Sequence, residues 1–160
     1  MSYAATADAT PSFANETPFL VFGRSILGIG AFGFADTEIF DHLEQTRVEI
    51  REAWKDNQAQ SWDGYGAEPI SKKAAEAALE FVRLLHAEIR KPDVVPESDG
   101  AMGFEWRYKG NILVLSFLPN GSFTFAGQFP NNDKVHGSGK FDGDVPAVVE
   151  TLLDKYFCED

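Results

Sequence analysis

The spacing of apolar residues changes twice along this chain, and the changes divide it into helices and strands. From Asp36 onward, Ile39, Leu43, Ile50 and Trp54, with Phe40 and Ala53 beside them, recur at the spacing of one helix face, and Asp36 is placed to cap the first turn. Val48 falls on the opposite side of that helix and predicts a second contact surface. A second stripe follows a capping Ser71: Ala74, Ala75, Ala78, Phe81, Val82, Leu85 and Ile89, with Lys73, Glu76, Glu80 and Arg83 facing away. It predicts a helix to about Arg90, ended by Lys91-Pro92.

The period then becomes two. Met102, Phe104, Trp106 and Tyr108 alternate with Gly103, Glu105 and Arg107, the pattern of a half-buried strand. Ile112 to Leu118 is apolar at nearly every residue and predicts a central strand. Lys109-Gly110-Asn111 and Pro119-Asn120-Gly121 read as hairpin turns on either side of it. Phe123, Phe125 and Phe129 mark the next strand, and a weaker one is expected around Lys134 to Phe141. The period returns to helical in Val145, Val148, Val149, Leu152, Leu153, Tyr156 and Phe157, with Asp144 at the N-cap and Pro146 in the first turn.

These elements predict an α+β fold, an antiparallel β-meander of about four strands packed against helices in a two-layer single domain over residues 36–160. Residues 1–35 read as an N-terminal arm. Its first part is rich in Ala, Thr, Ser and Pro, and Phe19 to Phe34 is an apolar, glycine-punctuated segment. Phe19-Leu20-Val21-Phe22 reads as a short strand or as a strip laid against the domain.

Between the first two helices lies Trp62-Asp63-Gly64-Tyr65-Gly66-Ala67, too polar and glycine-rich for helix or strand. Asp-Gly is a turn pair, and glycine takes a positive φ without steric cost. Two readings of the loop stand side by side. Trp62 and Tyr65 are core plugs with Asp63 capping the turn, or all three contact a ligand.

The W-D-G-Y-G-A loop is followed by a capped helix, a Val94-Val95-Pro96 step, the pair Asp99-Gly100, then Phe104-Glu105-Trp106 and two glycine-turned hairpins. In these features the stretch from Ser61 to Phe157 resembles a family of small uncharacterised bacterial proteins. The resemblance implies a domain boundary and no activity.

Charge changes the picture next. The chain carries 14 Lys and Arg against 25 Asp and Glu, a formal charge of −11. That argues against nucleic acid as a direct partner, because such affinity comes chiefly from cations that neutralise phosphates. It suits a basic protein partner. The one cysteine, Cys158, fits a reducing compartment, and the absence of a basic residue before Arg24 speaks against a secretory leader. The Phe19 to Ala35 stretch is short of the ~20 residues of a membrane span and is interrupted by Arg24. A cytoplasmic protein without membrane contact is expected.

The strings that resemble catalytic motifs lack their context. Gly28-x-Gly30-x-x-Gly33 has no parallel strand with an acid after its helix, so a dinucleotide is not expected. Gly137-Ser138-Gly139-Lys140 lacks the leading glycine and trailing hydroxyl of a phosphate loop and reads as a hairpin or bulge. His42, His86 and His136 show no metal-ligand spacing, and no cofactor or metal is expected. Cys158 has only Lys155 near it to lower its pKa.

A non-enzymatic acidic binding protein that recognises another macromolecule is therefore expected, with antitoxins, immunity proteins and anti-defence inhibitors as analogues in size and charge. Its candidate contacts are Trp62, Asp63, Tyr65, Glu105 and Arg107, together with Glu44 and Glu52 among the first-helix acids Asp41, Glu44, Glu49 and Glu52. Glu105 reads either as an ordinary solvent-face acid or, with Arg107, as a polar recognition pair. The 19–34 segment is a candidate surface for self-association. The alternative is a small hydrolase-like enzyme that brings Asp63, Glu105 and His136 together.

Overall fold

The structure, a computed structural model, describes residues 35–159, apart from the side chains of 35–41 and of Asn131. The chain divides into two units between Ala31 and Phe32, and every described residue belongs to the second. The arm, its Phe19–Phe22 strip, the Gly28-x-Gly30-x-x-Gly33 string and the side chains of Asp36 and Asp41 lie outside the described residues.

The domain is α+β. In chain order it comprises α1 (Ala35–Asp56), α2 (Lys72–Leu84), β1 (Asp93–Pro96), β2 (Met102–Tyr108), β3 (Asn111–Phe117), β4 (Ser122–Phe129), β5 (Asp133–Lys140) and α3 (Ala147–Tyr156). The five strands form one antiparallel sheet in sequential order, with β3 at its centre as its apolar run requires.

Among the described residues the count is five strands rather than about four. The additional one, β1, is short and ends in Pro96, so propensity marks it weakly; the ladder from Asp93↔Glu105 to Pro96↔Met102 makes it a strand. Gly137 and Gly139 are likewise not in a hairpin or bulge. They lie in regular register within β5, opposite Phe125 and Phe123, and the two phenyl rings cover them.

One face of the sheet carries Met102, Phe104, Trp106, Leu113, Leu115, Phe117, Phe123 and Phe125, all buried. Against it packs the predicted α2 stripe, every member of which is buried. Phe81 is its centre, with ring centroids 5.8 Å from Phe104, 6.4 Å from Trp106 and 5.4 Å from Phe117. The Trp106 indole N–H donates to Arg90 O at 2.9 Å, which satisfies the one polar atom of this plug.

Two helix boundaries differ from expectation. α2 stops at Leu84 rather than near Arg90, because Leu85 turns extended and Ile89 and Arg90 pair with the C-terminal segment through the Ile89↔Cys158 bridge and Arg90 N–H to Phe157 O. The predicted stripe survives because Ile89 is buried by that pairing. α3 is capped by Pro146 rather than Asp144, and its buried positions are Val149 and Leu153, continued by Phe157, while Val148 is exposed. Ser71 occupies the N-cap of α2 without a side-chain capping bond.

Candidate functional site

The Trp62 loop is organised by its own polar groups. Ser61 N–H donates to Ala67 O at 2.7 Å and closes the loop, and Gly64 N–H donates to Ser61 O at 2.8 Å. One Asp63 carboxylate oxygen accepts from the Tyr65 N–H at 2.7 Å and from the Ala67 N–H at 3.1 Å. The Tyr65 bond, then the Ala67 bond, hold the Asp63 carboxyl below the usual carboxylate range. Gly64 at φ +78° and Gly66 at φ +101° supply the left-handed backbone that the turn needs.

The two aromatics of the loop part company. Trp62 is half-buried, packs against the core and donates its indole N–H to Glu68 O at 2.9 Å. Glu68 N–H in turn donates to Ser98 O at 2.8 Å, so the loop is tied to the turn between β1 and β2. Ala67 and Ile70 are buried beneath it. Tyr65 is 94% exposed. Trp62 and Asp63 hold the loop, and Tyr65 is its tip. The plug reading therefore applies to Trp62 and not to Tyr65.

The second feature is the face of the sheet turned away from the helices. The register places Asp93, Glu105, Val114, Ala126 and His136 side by side in one row across all five strands. Arg107, Ile112, Gln128 and Lys134 form the next row on one side, and Val95, Gly103, Ser116, Thr124 and Ser138 that on the other. Glu105 and Arg107 share this face and are ion-paired with each other. A shallow depression of about 360 Å³ over Ile112, Val114, Ala126 and Gln128 is bounded by Lys134 and His136.

Glu97, which no sequence pattern singles out, also lies on this face. Its carboxylate reaches across Gly103 and accepts a hydrogen bond from the Ser116 hydroxyl; a Cβ at Gly103 would collide with it. Burial, against the lowering effect of the Ser116 bond, raises the Glu97 pKa above its usual 4.5. The signal available in the sequence is a glycine, Gly103, between the inward Met102 and Phe104 of β2.

The hydrolase constellation is not assembled. Glu105 and His136 share a row but are separated by β3 and β4, roughly 14 Å at about 4.8 Å per strand. The Asp63 carboxylate is engaged in its own turn, and Glu105 with Arg107. His42 lies 3.0 Å from Ile89 O and His86 lies 3.7 Å from Glu150, so neither joins the other candidates. Among the described residues no group of His, Cys, Asp and Glu is placed to hold a metal ion, and no helix is long and apolar enough to cross a membrane. Burial raises the Cys158 thiol pKa, which keeps it protonated and a poor nucleophile.

The first-helix acids are less free than the sequence implied. Glu44 meets Arg47 at 2.9 Å and Arg51 at 3.7 Å, and the Arg47 hydrogen bond holds its carboxyl below the ordinary value. Glu49 meets Lys91 at 2.7 Å. Glu52 is exposed and has no ionic partner among the described residues, and Val48 is exposed beside it as expected.

No family model, curated protein or solved structure matches this chain.

Proposed function

We propose that this protein is a non-enzymatic binding module that presents Tyr65, on its self-braced loop, to a basic protein partner. The observation that carries the proposal is the exposure of Tyr65 at the tip of a loop fixed by Trp62, Asp63 and two positive-φ glycines. A tyrosine on a braced loop offers a large contact area at low entropic cost, which is why tyrosine is enriched at protein interfaces and their hot spots.

The charge of the partner follows from the whole chain. Around the loop, Glu68, Asp99 and Asp56 are exposed, and so are Lys55, Lys72 and Lys73. The chain as a whole carries −11. A strongly negative net charge steers a basic surface inward and lets the ring make the short-range contact. The resemblance to small bacterial proteins and the size and charge typical of antitoxin or immunity-type inhibitors are compatible with this reading.

The test is affinity capture at low salt with the full chain and with its Tyr65→Ala variant. The wild type is expected to retain a basic protein that Tyr65→Ala loses, while both chains melt at the same temperature. Equal retention by both would overturn the assignment to Tyr65.

A further inference from the structure

We infer that the open face of the sheet is a self-complementary surface on which a second copy of this chain docks. The inference rests on how charge is distributed along the rows. The β1 side of the face carries Asp93 and Glu97, and the β5 side carries His136 and Lys140, with Ile112, Val114 and Ala126 between them. The whole face is balanced: Asp93, Glu97 and Glu105 stand against Arg107, Lys134 and Lys140, in a chain with 25 acids and 14 bases. Two copies at −11 repel over most of their surface, and this face, on which acids and bases balance, is a place where they can meet with little net repulsion.

The register makes the match specific. A two-fold axis running along β3, between two such faces, lays β1 of one copy over β5 of the other while strand direction is preserved. Val114 then meets Val114 of the second copy on the axis, and Asp93 faces the row position of His136. The row that begins at Glu97 continues through Ala101, Leu118 and Ser122 to Lys140, so Glu97 faces Lys140. Each contact away from the axis occurs twice, as an isologous interface demands. The strand directions coincide, which is the aligned mode of sheet packing.

The edge of β5 is a poorer route to association. Lys134, His136 and Lys140 alternate along it, and lysines on an edge strand resist the addition of another strand. The face spans roughly 19 Å across five strands and about 25 Å along them. That area places the interface at the small, weak end of specific contacts, with dissociation in roughly the micromolar range.

Sedimentation equilibrium of the full chain from about 10 to several hundred micromolar tests this. A reversible dimer is expected, and Ala126→Arg, at an exposed central position, should weaken it at least tenfold without shifting the melting temperature. Two further variants test the register: an acidic one, His136→Glu with Lys140→Glu, and a basic one, Asp93→Lys with Glu97→Lys. Each alone should be monomeric, and their mixture should form the heterodimer. If the basic variant fails to fold, Asp93→Lys with Val95→Lys spares the Glu97–Ser116 bond and serves in its place. A wild type that stays monomeric, a dimer indifferent to Ala126→Arg, or variants that do not associate when mixed would each overturn the inference. Indifference to Ala126→Arg would move self-association to another surface, such as the 19–34 segment. Tyr65→Ala should leave the dimer intact, so failure here is separable from failure of the loop reading.

Discussion

At the scale of single residues, Trp62 and Tyr65 make opposite predictions. Trp62 is half-buried, so Trp62→Ala should destabilise the domain by about 2–3 kcal/mol, below the range for a fully buried indole, as read by denaturant unfolding. Tyr65→Ala should leave that curve unchanged, because an exposed side chain contributes little to folding. The glycines separate in the same way. A Cβ at Gly64 or Gly66 would meet nothing within 4 Å, so alanine there costs backbone strain alone, about 1 kcal/mol at Gly64 and more at Gly66, whose φ of +101° lies beyond the left-handed well. At Gly137 a Cβ would stand 2.5 Å from the Phe125 ring, and Gly137→Ala should cost about 1–3 kcal/mol through overpacking. Two carboxylates titrate in opposite senses. The Glu97 pKa is raised on folding, so between 4.5 and its folded value the native state binds more protons than the unfolded chain, and stability falls as pH rises through that window. Glu97→Gln should abolish this fall, as a pH series of melting temperatures would show. The Asp63 pKa is lowered, so the stability it contributes is present above its ordinary value of 3.8 and is lost as pH falls through the folded value.

At the scale of elements, α1 decides how much of the acidic charge can reach a partner. Glu44 and Glu49 are already paired with Arg47, Arg51 and Lys91, and such pairs present little net field to a partner. Glu52 keeps its charge exposed, beside the exposed Val48. Charge reversal at Glu52 should therefore slow association with a basic partner more than reversal at Glu44, and added salt should reduce the difference. Stopped-flow association at two ionic strengths reads both effects. Equal slowing by the two reversals would show that the internal pairing of Glu44 does not shield it.

At the scale of the whole molecule, the helices cover one face of the sheet and leave the other with an apolar centre between an acidic and a basic margin. Limited proteolysis should remove an N-terminal piece and leave a fragment from about residue 36 that still melts cooperatively, because α1, α2, α3 and the sheet share one continuous core. Loss of cooperativity in that fragment would show that the arm contributes to the core. Tyr65 and the rows of the open sheet face are different residues, so the loop proposal and the dimer proposal are tested by different variants.

Local periodicity determined most of the fold. The α2 stripe as far as Leu84, the β2 alternation and the apolar run of β3 depend on side-chain spacing along one segment, and each forms the element its spacing predicts. The shape of the Trp62 loop was legible for the same reason, since Asp63, Gly64 and Gly66 act on backbone groups within a few residues. What the sequence left open depends on contacts between distant segments. The short β1 exists because β2 offers it a ladder, and α2 ends at Leu84 because residues 89–90 pair with the C-terminal segment. Tertiary structure alone sends Trp62 inward and Tyr65 outward, sets two strands between Glu105 and His136, pairs Glu44 with its arginines, and half-buries Glu97 over Gly103. A side chain's chemistry is written at its own position, but its exposure and its partners are set by whichever remote segment packs beside it.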